Sequence, residues 1–130
     1  MRGGGWAIVP RNSYPPDWSE IARAIKEAAG WKCVRCGHVH SRLGWFILTV
    51  HHLDGDKGNC RWWNLLPLCQ RCHLSIQARV DPQQPFVFEH TPWFRPYVAG
   101  FYAWKYLGEE LTREQAEARM GDLLALERLA

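Results

Sequence analysis

Between Val50 and His73 the chain reads V-H-H-L-D-G-D-K-G-N-C-R-W-W-N-L-L-P-L-C-Q-R-C-H, a stretch that interleaves two kinds of metal chemistry. Cys69 and Cys72 form a C-x2-C pair matching an upstream pair, Cys33 and Cys36. Zinc needs four ligands that converge tetrahedrally, and two such knuckles separated by a loop deliver them. Four thiolates close the coordination sphere, so the expected role is structural: the ion would clamp the preceding helix and its loop onto the unit that follows. Two unrelated pairs buried as small hydrophobes are the plain alternative, and the matched spacing weighs against it. Cys60 is left over, with no chemistry assigned.

Three histidines and an asparagine make the second set. His51 and His52 are adjacent in a run with strand character, so their side chains point to opposite faces and cannot share one job. One imidazole can ligate a metal while the other stays free to accept a proton near neutral pH. His73, at the first turn of a helix, can supply a second ligand. A lone histidine is ordinarily structural; three of them with Asn64, flanked by knuckles, favour function. Asp54 to Asn59 briefly imitates a calcium loop, but the EF-hand positions that require Gly and Glu hold Asn59 and Leu65. Those acids are expected to shape a turn.

The elements that must position these residues follow from the pattern. Residues 1–16 are rich in Gly and Pro and read as an extended arm, with a short strand at Trp6 to Val9. Asp17-Trp18-Ser19-Glu20 has the capping-box form, introducing a helix from Trp18 to Ala29 with Gly30 placed to end it. Phe46 to His51 reads as a strand, Asp54 to Asn59 as a loop, Leu65 to Leu68 as a second strand, and Cys72 to Val80 as a helix. This order is a compact ββα unit. Asp81 to Pro85 breaks the helix, and two more are expected: an aromatic one from Trp93 to Leu107 and one from Thr112 to Leu129, opened by a Thr-x-x-Gln box. The fold class is therefore α+β in a single domain of residues 1–130: arm 1–16, N-terminal helix 17–30, knuckles and ββα core 31–80, helical extension 81–130.

The segment Cys33 to Gln77 resembles the HNH nuclease family in its four-cysteine zinc subgroup: a C-x2-C, then V-H-H, then N-L, then L-C-x2-C-H, in order and spacing. The resemblance implies a ββα-metal core and hydrolysis of DNA phosphodiester bonds. It implies His51 and His73 as ligands of one catalytic divalent ion (Mg2+, Mn2+, Ni2+ or Zn2+) and His52 as the general base that deprotonates water. Asn64 would brace the loop and orient His52. A further family ligand falls one helical turn on, at Gln77, a poor ligand beside histidine, so two histidines completed by water and phosphate are the expectation.

Bulk properties bound the rest. The 130 residues carry a net charge of +3 and are 47% hydrophobic and 22% charged, the profile of a globular chain without an apolar run long enough to span a bilayer. The start lacks the apolar core of a signal peptide, so a cytoplasmic location is expected, where thiols stay reduced and hold metal, and the family resemblance implies a bacterial cell or phage-infected host. Residues 1–80 carry 11 Lys/Arg against 5 Asp/Glu, and residues 81–130 carry 5 against 8. Lys57, Arg61, Arg71 and Arg79 surround the motif as candidate phosphate contacts to double-stranded DNA, with plain solubility as the alternative. Trp62 and Trp63 read as a core wedge, and the aromatic set from Trp93 to Trp104 as packing, with the C-terminal region a candidate homodimer interface. The rival to the nuclease is a non-catalytic zinc module that binds nucleic acid; it has no need of a free imidazole beside a ligand histidine.

Overall fold

The computed structural model describes residues 12–84 and 88–129. The strand expected at Trp6 to Val9 lies outside them. The chain divides into two compact units, Met1–His73 and Leu74–Ala130.

The first unit is built on a two-stranded antiparallel sheet, β1 (Leu48–His52) and β2 (Leu65–Cys69), with α1 (Trp18–Ala28) packed on both strands. The register pairs Leu48 with Cys69, Val50 with Pro67 and His52 with Leu65. All five residues of β2 are buried, as are Leu48, Leu53 and Trp63, so the sheet and its flanking turns form the core. Of the adjacent tryptophans, Trp63 is the buried wedge and Trp62 lies half-exposed. A single 3-10 turn, Gly44–Phe46, precedes β1 and takes Phe46 out of the strand; the strand starts two residues later than expected and runs on through His52. Helix α2 (Gln70–Arg79) begins directly after β2, two residues ahead of the expected start, with the Gln70 amide donating to the Ile47 carbonyl.

At the start of α1 the expected capping box does not form. Asp17 has φ −97° and ψ 23°, outside the extended conformation in which an N-cap side chain reaches the first-turn amides. Its main-chain carbonyl accepts from Glu20 and Ile21 instead. The other end behaves as the sequence indicates: Gly30, at φ +65°, lets the Gly30 amide donate to Glu27 and the Trp31 amide to Lys26, the paired bonds that close a helix C-terminus.

The second unit centres on α3 (Arg95–Leu107), against which α4 (Arg113–Ala118) and α5 (Met120–Leu124) pack. Phe94, Val98, Ala99, Tyr102, Ala103, Ala116 and Leu123 are buried, so most of the aromatic set is core, as expected. Thr112 forms the full capping box with Gln115. The single helix expected from Thr112 to Leu129 is broken, however. Arg119 sits at φ −112°, ψ 17° between α4 and α5, and a 3-10 turn, Ala125–Leu129, ends the chain's described part. Arg119 reaches back to Glu109 with both terminal nitrogens, at 3.3 and 3.2 Å, and Gly121 follows with poor helix propensity. Apolar periodicity survives such a kink, which is why the pattern read as one helix. Among the described residues no helix is long and apolar enough to cross a membrane.

Candidate metal centres

The first knuckle is shaped by main-chain bonds: the Cys33 amide donates to His38, the Gly37 amide to Cys33, and Gly37 takes φ +77°. The Val34 amide donates to Pro67, fixing this knuckle to β2. The second knuckle spans the junction of β2 and α2, so Cys69 and Cys72 inherit the rigidity of both. The four sulfurs of Cys33, Cys36, Cys69 and Cys72 all lie within 4.8 Å of one another. A zinc ion bonded to four sulfurs would hold them about 3.8 Å apart. The Cys36 and Cys69 sulfurs are 3.8 Å apart.

Their electrostatics point the same way. The Cys36 amide donates to the Cys33 sulfur, the Cys72 amide to the Cys69 sulfur, and the Arg35 guanidinium to the Cys72 sulfur, all donors that favour thiolate. Without a cation the charges conflict. Burial pushes Cys72 up to about 12 and Cys69 above its ordinary value, while Cys36, opposed by burial but bonded to His38 and to Cys33, falls to about 7. Only a divalent ion lets four neighbouring thiols ionise together. The cysteines are thus positioned to hold a metal, and the all-sulfur set suits zinc.

The three histidines separate by strand alternation. His51 shares a face of β1 with Thr49, and His73, from the first turns of α2, lies over that face: the His51 and His73 rings are 4.7 Å apart, tilted by 57°. Thr49 was not singled out in the sequence. Its hydroxyl donates to the Leu68 carbonyl at 2.7 Å and meets His73 Nδ1 at 2.8 Å. The available signal was its position two residues before His51 in a strand. Burial, reinforced by His73 and then His52, lowers His51 to about 4; burial lowers His73 as well. Both rings are therefore neutral at pH 7, the form that ligates metal.

His52 occupies the opposite face. Its ring lies 4.8 Å from that of Trp18 and 6.0 Å from that of Tyr14, and the residue is only 8% exposed. Among the described residues its Nε2 has no hydrogen-bond partner. Burial lowers its pKa, with Asp54 and Asp56 working against the shift, so it too is neutral and able to accept a proton. The aromatic wall was absent from the sequence reading, since Trp18 and Tyr14 reach His52 only through the packing of α1 on the sheet.

Asn64 is fully buried in the 3-10 turn before β2. Its side chain accepts from the Asp54 amide and donates to the Asn59 carbonyl, both at 2.8 Å, and its own carbonyl accepts from Leu53. The loop acids are spent internally: Asp54 accepts from the Asp56 amide and the Asn59 side chain, Asp56 from the Gly58 and Asn12 amides. They shape a turn, as expected.

The basic residues differ in engagement. Lys57 stands 5.1 Å over the Tyr14 ring, Arg61 donates to Asn59, and exposed Arg71 lies 5.5 Å from the Phe46 ring. Arg79 is paired with Glu89 at 2.9 Å. Gln77 and Cys60 are exposed and half-buried respectively. Of the unassigned histidines, His40 accepts from the Leu48 amide, His38 stacks on Phe46, and His90 pairs with Glu127.

A stretch of 62 residues is 37% identical to a protein of Escherichia coli, covering 48% of this chain and 17% of that one. The chain is similar to Zorya protein ZorE. It spans less than a fifth of that relative's length. No protein-family model matches the chain, and no solved structure does.

Proposed function

We propose that this chain is a metal-dependent endonuclease of HNH type that hydrolyses phosphodiester bonds in double-stranded DNA. The observation that carries the reading is the division of the histidines: two neutral imidazoles meet on one face of β1, and a third stands apart on the other. A divalent ion at His51 and His73 would supply charge neutralisation on the scissile phosphate and the departing 3′ oxygen, together with open positions for water and phosphate. His52, kept neutral by burial, takes the proton from the attacking water. Asn64 holds the loop after β1 and so fixes the end of the strand that carries both His51 and His52. Zinc at the four cysteines fixes the start of α2, and with it His73. Lys57, Arg61 and Arg71 would meet phosphates; Arg79, already paired with Glu89, contributes less.

One observation favours the rival reading, a zinc-dependent nucleic-acid-binding module: His52 Nε2 is walled in by aromatic rings. Incubation with supercoiled plasmid in Mg2+, Mn2+ or Ni2+, beside a chelator control and His52→Ala, separates the two. The nuclease nicks or linearises the plasmid with metal and loses this on substitution. DNA binding without cleavage in any ion establishes the binding module.

A further inference from the structure

The contact between Thr49 and His73 contains more than proximity. A hydroxyl has one hydrogen to donate and lone pairs to accept with. The Leu68 carbonyl can only accept, and its oxygen lies 2.7 Å from Thr49 Oγ1. Two oxygens at that distance require a hydrogen between them, so the Thr49 hydrogen is committed to Leu68. Thr49 Oγ1 also lies 2.8 Å from His73 Nδ1, and with its hydrogen committed it can meet that nitrogen only as an acceptor. His73 Nδ1 must then carry a proton. With Nδ1 protonated, Nε2 is the only ring nitrogen left to ligate a metal, which takes the neutral form of the ring.

We propose that Thr49 is a positioning residue that locks His73 in the Nδ1–H tautomer and so dedicates Nε2 to ligation beside His51. The framework is stiff at every link. Leu68 is fully buried in β2, directly opposite Thr49 in the strand register, so the carbonyl that captures the hydroxyl hydrogen is itself fixed. Thr is β-branched, which restricts χ1 and holds Oγ1 on the face it shares with His51. The ring of His73 is thereby oriented as well as protonated at a chosen atom, the service that an outer hydrogen-bond acceptor performs for a metal-ligating histidine. The ligation half of this inference rests on the proposed His51/His73 metal site; the tautomer half stands on the hydrogen bonds alone.

The test uses the full chain carrying one equivalent of zinc, with side-chain nitrogen NMR of His73 at pH 7.5 and titration of Mn2+ or Ni2+. Wild type should show protonated Nδ1 and bare Nε2. Thr49→Val, close in shape but without an acceptor, should lose that preference and bind the added ion roughly 10- to 100-fold more weakly. Thr49→Ser should restore both, which separates loss of the oxygen from any general loosening of the strand. A wild-type ring protonated at Nε2, or a Thr49→Val protein with unchanged tautomer, overturns the proposal. A protonated Nδ1 that depends on Thr49 in a protein that binds no added ion would uphold the tautomer lock and remove the nuclease reading instead.

Discussion

The side chain of buried Asn64 accepts a 2.8 Å hydrogen bond from the main-chain amide of Asp54, ten residues earlier, and so closes the loop between the two strands. The same carboxamide donates to Asn59, bonding the loop at two points. Asn64→Ala strands the part-buried Asp54 amide and the buried Asn59 carbonyl, with an expected loss of about 2–4 kcal/mol in urea unfolding. Asn64→Asp keeps the acceptor and loses the donor, and should fall between the two. Equal stability of all three proteins would mean that the loop does not depend on Asn64.

His52→Ala should lower the cleavage rate by at least about a hundredfold, the usual scale of a positioned base. Binding of Mn2+ or Ni2+ should be unchanged, because His51 and His73 lie on the other face of β1. His73→Ala should do the reverse, weakening ion binding first. Calorimetric titration beside single-turnover cleavage distinguishes them; equal damage to ion affinity by both substitutions would contradict the separation of faces.

Removing the structural metal should disable the second site without touching it. Cys72 and His73 are consecutive, and the second knuckle sets the first turn of α2. Cys69→Ser or Cys72→Ser should therefore reduce zinc content below one equivalent and abolish ion binding at the histidines, while His51 and His73 remain in the sequence. A cysteine variant that loses zinc yet binds the second ion normally would show that α2 is held by packing alone.

The pH dependence has a definite sign. His51 has a folded pKa of about 4 against an ordinary 6.5, so the unfolded chain binds its proton first as the pH falls. The stability that this burial of a neutral ring maintains is complete above 6.5 and is lost progressively down to about 4. Between pH 7 and 5 the loss from His51 alone is about 2 kcal/mol. Denaturant unfolding of protein carrying one equivalent of zinc should show that contribution to the slope, and His51→Gln should reduce the slope. Ion affinity at the histidine pair should fall less between pH 7 and 6 than that of an exposed pair, because burial lowers both rings.

Features carried by local spacing were the most readable. The two C-x2-C knuckles, the paired bonds at Gly30 and the box at Thr112 depend on neighbours within a few residues, and each is formed. The box at Asp17 is local too, but a turn beginning at Pro15 sets its backbone, and the side chain is misdirected. Strand alternation correctly sent His51 and His52 to opposite faces. What lay beyond reach were the partners waiting on those faces. Trp18 meets His52 across 34 positions of chain and Thr49 meets His73 across 24, and no periodicity encodes which residue of one element lands on which residue of another. The break at Arg119 was hidden for a related reason: its guanidinium pairs with Glu109, ten residues earlier, a partner that apolar periodicity does not encode.

Pro67 gives β2 a property of a different kind. It pairs with Val50, has no amide hydrogen, and its carbonyl is taken by the Val34 amide. The outer edge of β2 therefore offers neither donor nor acceptor at its midpoint, and a strand from another molecule would find no ladder to extend there. For a sheet that has two strands among the described residues, that blunted edge is a safeguard against edge-to-edge aggregation. It also steers any self-association toward side-chain surfaces and away from the backbone of β2.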